Sequence, residues 1–107
     1  MDFNATKLFI AVLNVGSFSA ASDRTGVPIA TISRKVNELE QGLNVLLLER
    51  SRQGVKPTYK GQQFFEQARL GVELLEDAQK SVTSAHTLQG KLRLSVFLLI
   101  SRGGGIY

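Results

Sequence analysis

The chain has 107 residues, a formal net charge of +4 and 43% hydrophobic residues. That leaves room for one domain with an appendage, is too apolar for a disordered chain, and suits a polyanionic partner mildly. It contains no cysteine, which excludes disulfides and thiolate metal sites. The longest apolar run, 96–100, falls far short of the ~20 residues of a membrane span, and the N-terminus lacks the basic and apolar regions of a signal peptide. A soluble, cytoplasmic protein is therefore expected.

The first helix is predicted to start with Asn4 as N-cap, with Phe3 and Leu8 placed as a hydrophobic staple. Ala5, Leu8, Phe9, Val12 and Leu13 follow the spacing of a core-facing stripe, and Gly16 ends the helix. The second helix is predicted over 19–25, capped by Ser17 or Ser19, with Phe18, Ala20 and Ala21 turned inward and Gly26 at its end. The third begins near Pro28, where a missing amide costs nothing. Its buried stripe is predicted as Ile32, Val36, Leu39 and Leu43. At about 100° per residue, Arg34 then points almost opposite that stripe. Ala30, Asn37 and Gln41 share its outer face, Thr31 and Ser33 lie on the flank, and Lys35 lies on the other flank. A short helix, a glycine turn and a longer amphipathic helix form the layout of a helix-turn-helix.

Residues 46–50 and 55–58 read as short strands, with 51–54 at the tip of a hairpin, or wing. Pro57 cannot donate a ladder hydrogen bond, so its strand must be an edge. Arg50, Arg52, Lys56 and Lys60 occur here without an intervening acid. A long helix is predicted over 59–88, where Phe64, Ala68, Gly71, Leu75, Ala78, Val82 and Ala85 make a heptad-like seam. Such a helix outruns the small core before it, so a partner helix is expected. Packing within its own chain is the alternative. Gly90 closes the region, and 91–100 reads as an opening strand before the glycine-rich residues 101–107.

In this order, LFIAVLNVGSFSAAS, TGVPIATISRKVNELEQGLNV, LLLERSRQGVKPTYKG, the long helix and GKLRL resemble the N-terminal DNA-binding domain of LysR-type transcriptional regulators. The resemblance covers residues 1–94. It implies a mainly α fold: a winged helix-turn-helix of three helices plus a β-hairpin over 1–58, then a dimerisation helix over 59–89. Residues 90–107 would be the truncated start of an effector-binding domain. The resemblance also implies sequence-specific binding to double-stranded promoter DNA as a homodimer or higher oligomer, with the effector site absent from this chain.

The family's recognition helix commonly opens with serine, glutamine and proline, where this chain has Pro28, Ile29 and Ala30. The side-chain cap is thereby lost, and Ile29 is expected to meet a thymine methyl rather than hydrogen-bond a base edge. Asn44 stands where glycine is common and Leu48 where phenylalanine is common.

The candidate DNA-binding residues are Ser17, Ser19, Ile29, Ala30, Thr31, Ser33, Arg34, Lys35, Arg50, Arg52, Gln53 and Lys56. Arg34 is expected to grip guanine or phosphate, with an i, i+4 pair to Glu38 as its bland alternative. Thr31 and Ser33 would donate to base or phosphate, or cap locally, and Lys35 would reach phosphate. Ser17 and Ser19 lie where the motif crosses the DNA backbone, and N-capping is the alternative for both. Arg52 and Gln53 at the wing tip would enter a minor groove while Arg50 and Lys56 hold the backbone; a solubilising hairpin is the alternative. Thr58 is expected to cap the long helix. His86, the only histidine, has no ligand or nucleophile partner in its motif and is expected at the surface. With no phosphate loop, zinc spacing or nucleophile elbow, neither an enzyme nor a bound metal or cofactor is expected. A rival reading is an effector-less interaction fragment that pairs with a full-length relative through its long helix.

Overall fold

A computed structural model describes residues 1–83. Its elements are α1 (Phe3–Val15), α2 (Phe18–Thr25), α3 (Ile29–Leu43), β1 (Leu48–Ser51), β2 (Gly54–Pro57) and α4 (Tyr59–Thr83). The described residues are mainly helical, with one antiparallel hairpin. The chain divides within α4, after Val72, into two compact units.

The first unit is a three-helix core. Helix α1 packs on α3, and α2 touches both. Ala5, Phe9 and Val12 of α1, Ala21 of α2, and Ile32, Val36 and Leu39 of α3 are buried together with Leu47 and Leu48. Each large apolar side chain so buried contributes roughly 1.5–3 kcal/mol. Phe9 lies at the centre, with the Phe64 ring 5.7 Å and the Phe65 ring 6.5 Å from its own.

Several predicted boundaries move. The N-cap of α1 is Asp2, whose side chain accepts from the Asn4 amide at 2.8 Å, so Asn4 and Phe3 lie inside the helix. Carboxylate and amide side chains compete for the same capping role, and here the earlier residue has the extended backbone it requires. Helix α2 starts one residue early, at Phe18, because Ser17 rather than Ser19 caps it, accepting from the Ala20 amide at 3.0 Å. Leu43 is exposed. It sits in the last turn of α3, where the helix has run past the core. Instead Glu40 is buried beside Leu39. Asn44 ends α3 at φ 56°, a left-handed conformation that asparagine adopts more readily than most residues other than the glycine common there in the family.

The first strand is one residue shorter than predicted and starts two residues later, the second starts one residue earlier at the same length, and Arg52 and Gln53 alone join them. Their register pairs Leu48 with Pro57 and Ser51 with Gly54. Gly54, at φ 125°, passes so near the Gly16 carbonyl that a Cβ would lie 2.9 Å from it, and the next amide, Val55, donates to that carbonyl at 3.2 Å. Thr58 caps α4, its Oγ1 accepting from the Gly61 amide at 2.9 Å while donating to the Leu46 carbonyl at 2.6 Å. Gly61 is buried, and a Cβ there would overlap the Leu47 carbonyl. Helix α4 is described to Thr83. The predicted helix end near 88, Ala85, His86, Gly90 and the strand-like segment 91–100 lie outside the described residues.

Candidate nucleic-acid interface

Helix α3 divides its circumference among three tasks. Ile32, Val36 and Leu39 face the core. Ser33, Asn37 and Glu40, spaced i, i+4, i+7, form a row that meets the wing. A third row carries Ala30, Arg34 and Gln41, all exposed. The 3.6-residue period places that third row opposite the core, as the sequence predicts for Arg34.

The wing-facing row is tied at two heights. Near the hairpin base, Glu40 Oε2 accepts from the Leu47 amide at 2.7 Å and the Leu48 amide at 3.1 Å. Both amides would otherwise be buried donors without partners, a costly state, so this one carboxylate oxygen fixes where β1 begins. Higher up, Arg50 donates through Nη1 to Ser33 Oγ at 3.0 Å and through Nη2 to Asn37 Oδ1 at 2.7 Å. Its Cζ lies 4.7 Å from the centre of the Phe18 ring. Arg50 thus joins the wing, α3 and α2.

On the opposite flank Lys35 Nζ meets Asp2 Oδ2 at 3.2 Å, holding the start of α1 against α3. The Lys35 hydrogen bond, followed by the Asn4 amide, lowers the Asp2 carboxyl below its ordinary value of 3.8. Arg34 pairs with Glu38 at 3.0 Å, with side chains 59% and 51% exposed. An i, i+4 pair this open is worth only ~0.3–0.5 kcal/mol, so it holds the guanidinium loosely.

The remaining candidates divide by their surroundings. Ile29 is 48% exposed at the first turn of α3, and Pro28 before it supplies no side-chain cap. Thr31 is half-buried on the Lys35 side, away from Ser33. Ser17 is engaged in capping α2, and Ser19 is exposed in its first turn. At the wing, Arg52, Gln53 and Lys56 are exposed, with the Gln53 amide donating to Ser51 Oγ at 3.3 Å to shape the tip. The structure therefore brings Ser33 and Arg50 into direct contact, and leaves Arg34, Arg52 and Lys56 projecting.

Along α4, Phe64 and Ala68 are half-buried, whereas Gly71, Leu75, Ala78 and Val82 are exposed, as are Leu70 and Leu74 outside the predicted seam. Glu40, Asn37 as an Arg50 acceptor, and Gly61 escape the sequence reading as interacting residues. A glycine in the first turn of an otherwise good helix is the one available signal for Gly61, since it weakens a helix unless a neighbour needs the space. Among the described residues no His, Cys, Asp and Glu cluster could hold a metal ion, and no single helix is long and apolar enough to cross a membrane.

Residues 3–62 match the family model described as bacterial regulatory helix-turn-helix protein, lysR family. The chain is 38% identical over 98 residues to the HTH-type transcriptional regulator TcbR of Pseudomonas sp. (strain P51), covering 91% of this chain and 33% of that protein. It is 35% identical over 98 residues to the HTH-type transcriptional regulator ClcR of Pseudomonas putida, again with 91% and 33% covered. Among solved structures, CbnR_DBD in its crystallised DNA complex superposes with a TM-score of 0.73 at 38% identity, covering 81% of this chain and 100% of that one. The chain spans about a third of the length of these curated relatives. The chain belongs to the LysR family of bacterial helix-turn-helix regulators, a family of transcriptional regulators and not of enzymes.

Proposed function

We propose that this chain is a sequence-specific reader of double-stranded promoter DNA, with α3 in the major groove and the wing beside it. The observation that carries this reading is the outward row of α3. Arg34 stands on the face opposite the buried stripe, weakly held and flanked by the small Ala30 and the hydrogen-bonding Gln41. An arginine so placed can offer two donors to guanine O6 and N7. Ile29 brings an apolar contact suited to a thymine methyl, and Thr31 and Ser33 border the face. Ser17, Ser19 and Lys35 supply phosphate contacts, as do Arg52, Gln53 and Lys56 from the wing. We assign residues 1–58 to DNA binding and 59–89 to a homodimerisation helix, and place the protein in the cytoplasm.

Selection of bound sequences from a random duplex pool tests this reading. A preferred sequence should emerge, and affinity should fall steeply with added salt as counterions are released. Arg34→Ala should cost ~1–3 kcal/mol on the selected duplex and relax preference at one position. Equal binding of selected and scrambled duplexes by the unmodified chain would reject the reading. The CbnR_DBD likeness supports it, because that domain was crystallised with DNA. Leu75, exposed on α4, supports the dimer. A monomer by light scattering at high concentration would exclude it.

A further inference from the structure

We propose that Arg50 is a positioning residue for base discrimination, fixing which hydrogen-bonding groups Ser33 and Asn37 present to DNA. This rests on the DNA reading above and deepens it. The guanidinium can only donate, so each group it meets must turn an acceptor toward it. Asn37 gives its Oδ1 to Nη2 at 2.7 Å, and Ser33 gives its Oγ to Nη1 at 3.0 Å. The carboxamide is thereby locked with its NH2 group directed away from the wing, and the Ser33 hydroxyl hydrogen is left to point elsewhere. An unrestrained asparagine can pair bidentately with adenine, using its oxygen and nitrogen together. With its oxygen turned toward Arg50, the group Asn37 presents away from the wing is its NH2, suited to acceptors on the major-groove edge: guanine O6 and N7, or thymine O4.

The fork is well placed for this. Its two nitrogens span residues i and i+4 on one helix, and Cζ lies over the Phe18 ring, 4.7 Å from its centre. A lysine carries the same charge but cannot reproduce two coplanar donors. The sequence alone assigns Arg50 to the DNA backbone as a phosphate contact. The two roles separate experimentally, because a phosphate anchor acts alike on all sequences whereas a positioning residue acts on their ratio.

The experiment compares the unmodified chain, Arg50→Lys, Asn37→Ala and the double variant. Binding is measured to the duplex selected from a random pool and to a scrambled duplex, each across a salt series, with thermal unfolding alongside. Arg50→Lys should lower the selected-to-scrambled affinity ratio by about tenfold, the scale of one good base contact, with an unchanged salt slope. Asn37→Ala should lower the ratio comparably, and the double variant should lose less than the two single losses combined, because part of the Arg50 effect runs through Asn37 and the rest through Ser33. An unchanged ratio in Arg50→Lys overturns the proposal, because charge alone then suffices. An equal loss on both duplexes with reduced thermal stability also overturns it, leaving a purely structural role. An unchanged ratio in Asn37→Ala overturns it whether or not the lysine variant folds. A ratio of one in the unmodified chain rejects the DNA reading itself, before any variant is compared.

Discussion

In residues 59–72 of α4, Gly61 is buried under Leu47, and Phe64 and Phe65 lie against Phe9, while in residues 73–83 Leu74, Leu75 and Val82 stand exposed. One apolar repeat runs through both stretches, yet among the described residues the first packs on a buried core and the second is exposed. The contrast shows that periodicity reports which side of a helix is apolar and says nothing about what covers it. Phe64 opens the predicted seam but belongs to the fold of its own unit. Leu75, from the same seam, is 54% exposed and available to another helix.

Substitutions can break or sharpen this contrast. The largest effect is expected at Phe9→Ala, which removes the ring that Phe64 and Phe65 pack against. A loss of ~3–5 kcal/mol in urea unfolding is expected, as for other fully buried phenylalanines. Gly61→Ala should cost ~1–3 kcal/mol in the same assay, because the added Cβ forces α4 away from the Leu47 carbonyl even though alanine is the better helix former. Thr58→Ala removes the side-chain cap and should cost ~1 kcal/mol. Leu75→Asp should change the unfolding of dilute protein by no more than ~0.5 kcal/mol, while sedimentation at high concentration shifts from dimer to monomer. A destabilisation matching that of Phe9→Ala would erase the distinction between the two stretches.

The smallest effect concerns Asp2. Its carboxyl is held below the ordinary value of 3.8 by Lys35 and the Asn4 amide. The stability it contributes is present above that ordinary value and is lost as pH falls through the lower folded one. Asp2→Asn retains a capping oxygen but no charge, so its melting temperature should fall less over the same acid range.

Much of this architecture was legible from residue type and spacing. The buried stripe of α3, the outward Arg34, the glycine stops after α1 and α2, and the Thr58 cap all follow from local periodicity or local hydrogen bonding. The residues that escaped depend on distant partners. Glu40 looks like a solvated charge until Leu47 and Leu48 bring it their amides. Arg50 reads as a phosphate contact in a basic hairpin until the register of the strands sets it beside Ser33, Asn37 and Phe18. Leu43 reads as core because the heptad spacing continues past the point where the core stops. Asn4 and Asp2 are near-equivalent capping types, and the backbone turn decides between them.

The separation of rows on α3 also bears on how such a protein changes over generations. Glu40, Asn37 and Ser33 hold the wing, whereas positions 30, 34 and 41 are exposed on the side of the helix opposite the core. A lineage can therefore rewrite the outer row by single substitutions without first acquiring compensating changes elsewhere. New binding preferences become accessible through steps that each leave a folded, functioning ancestor, and the anchoring row keeps the scaffold constant while they are explored.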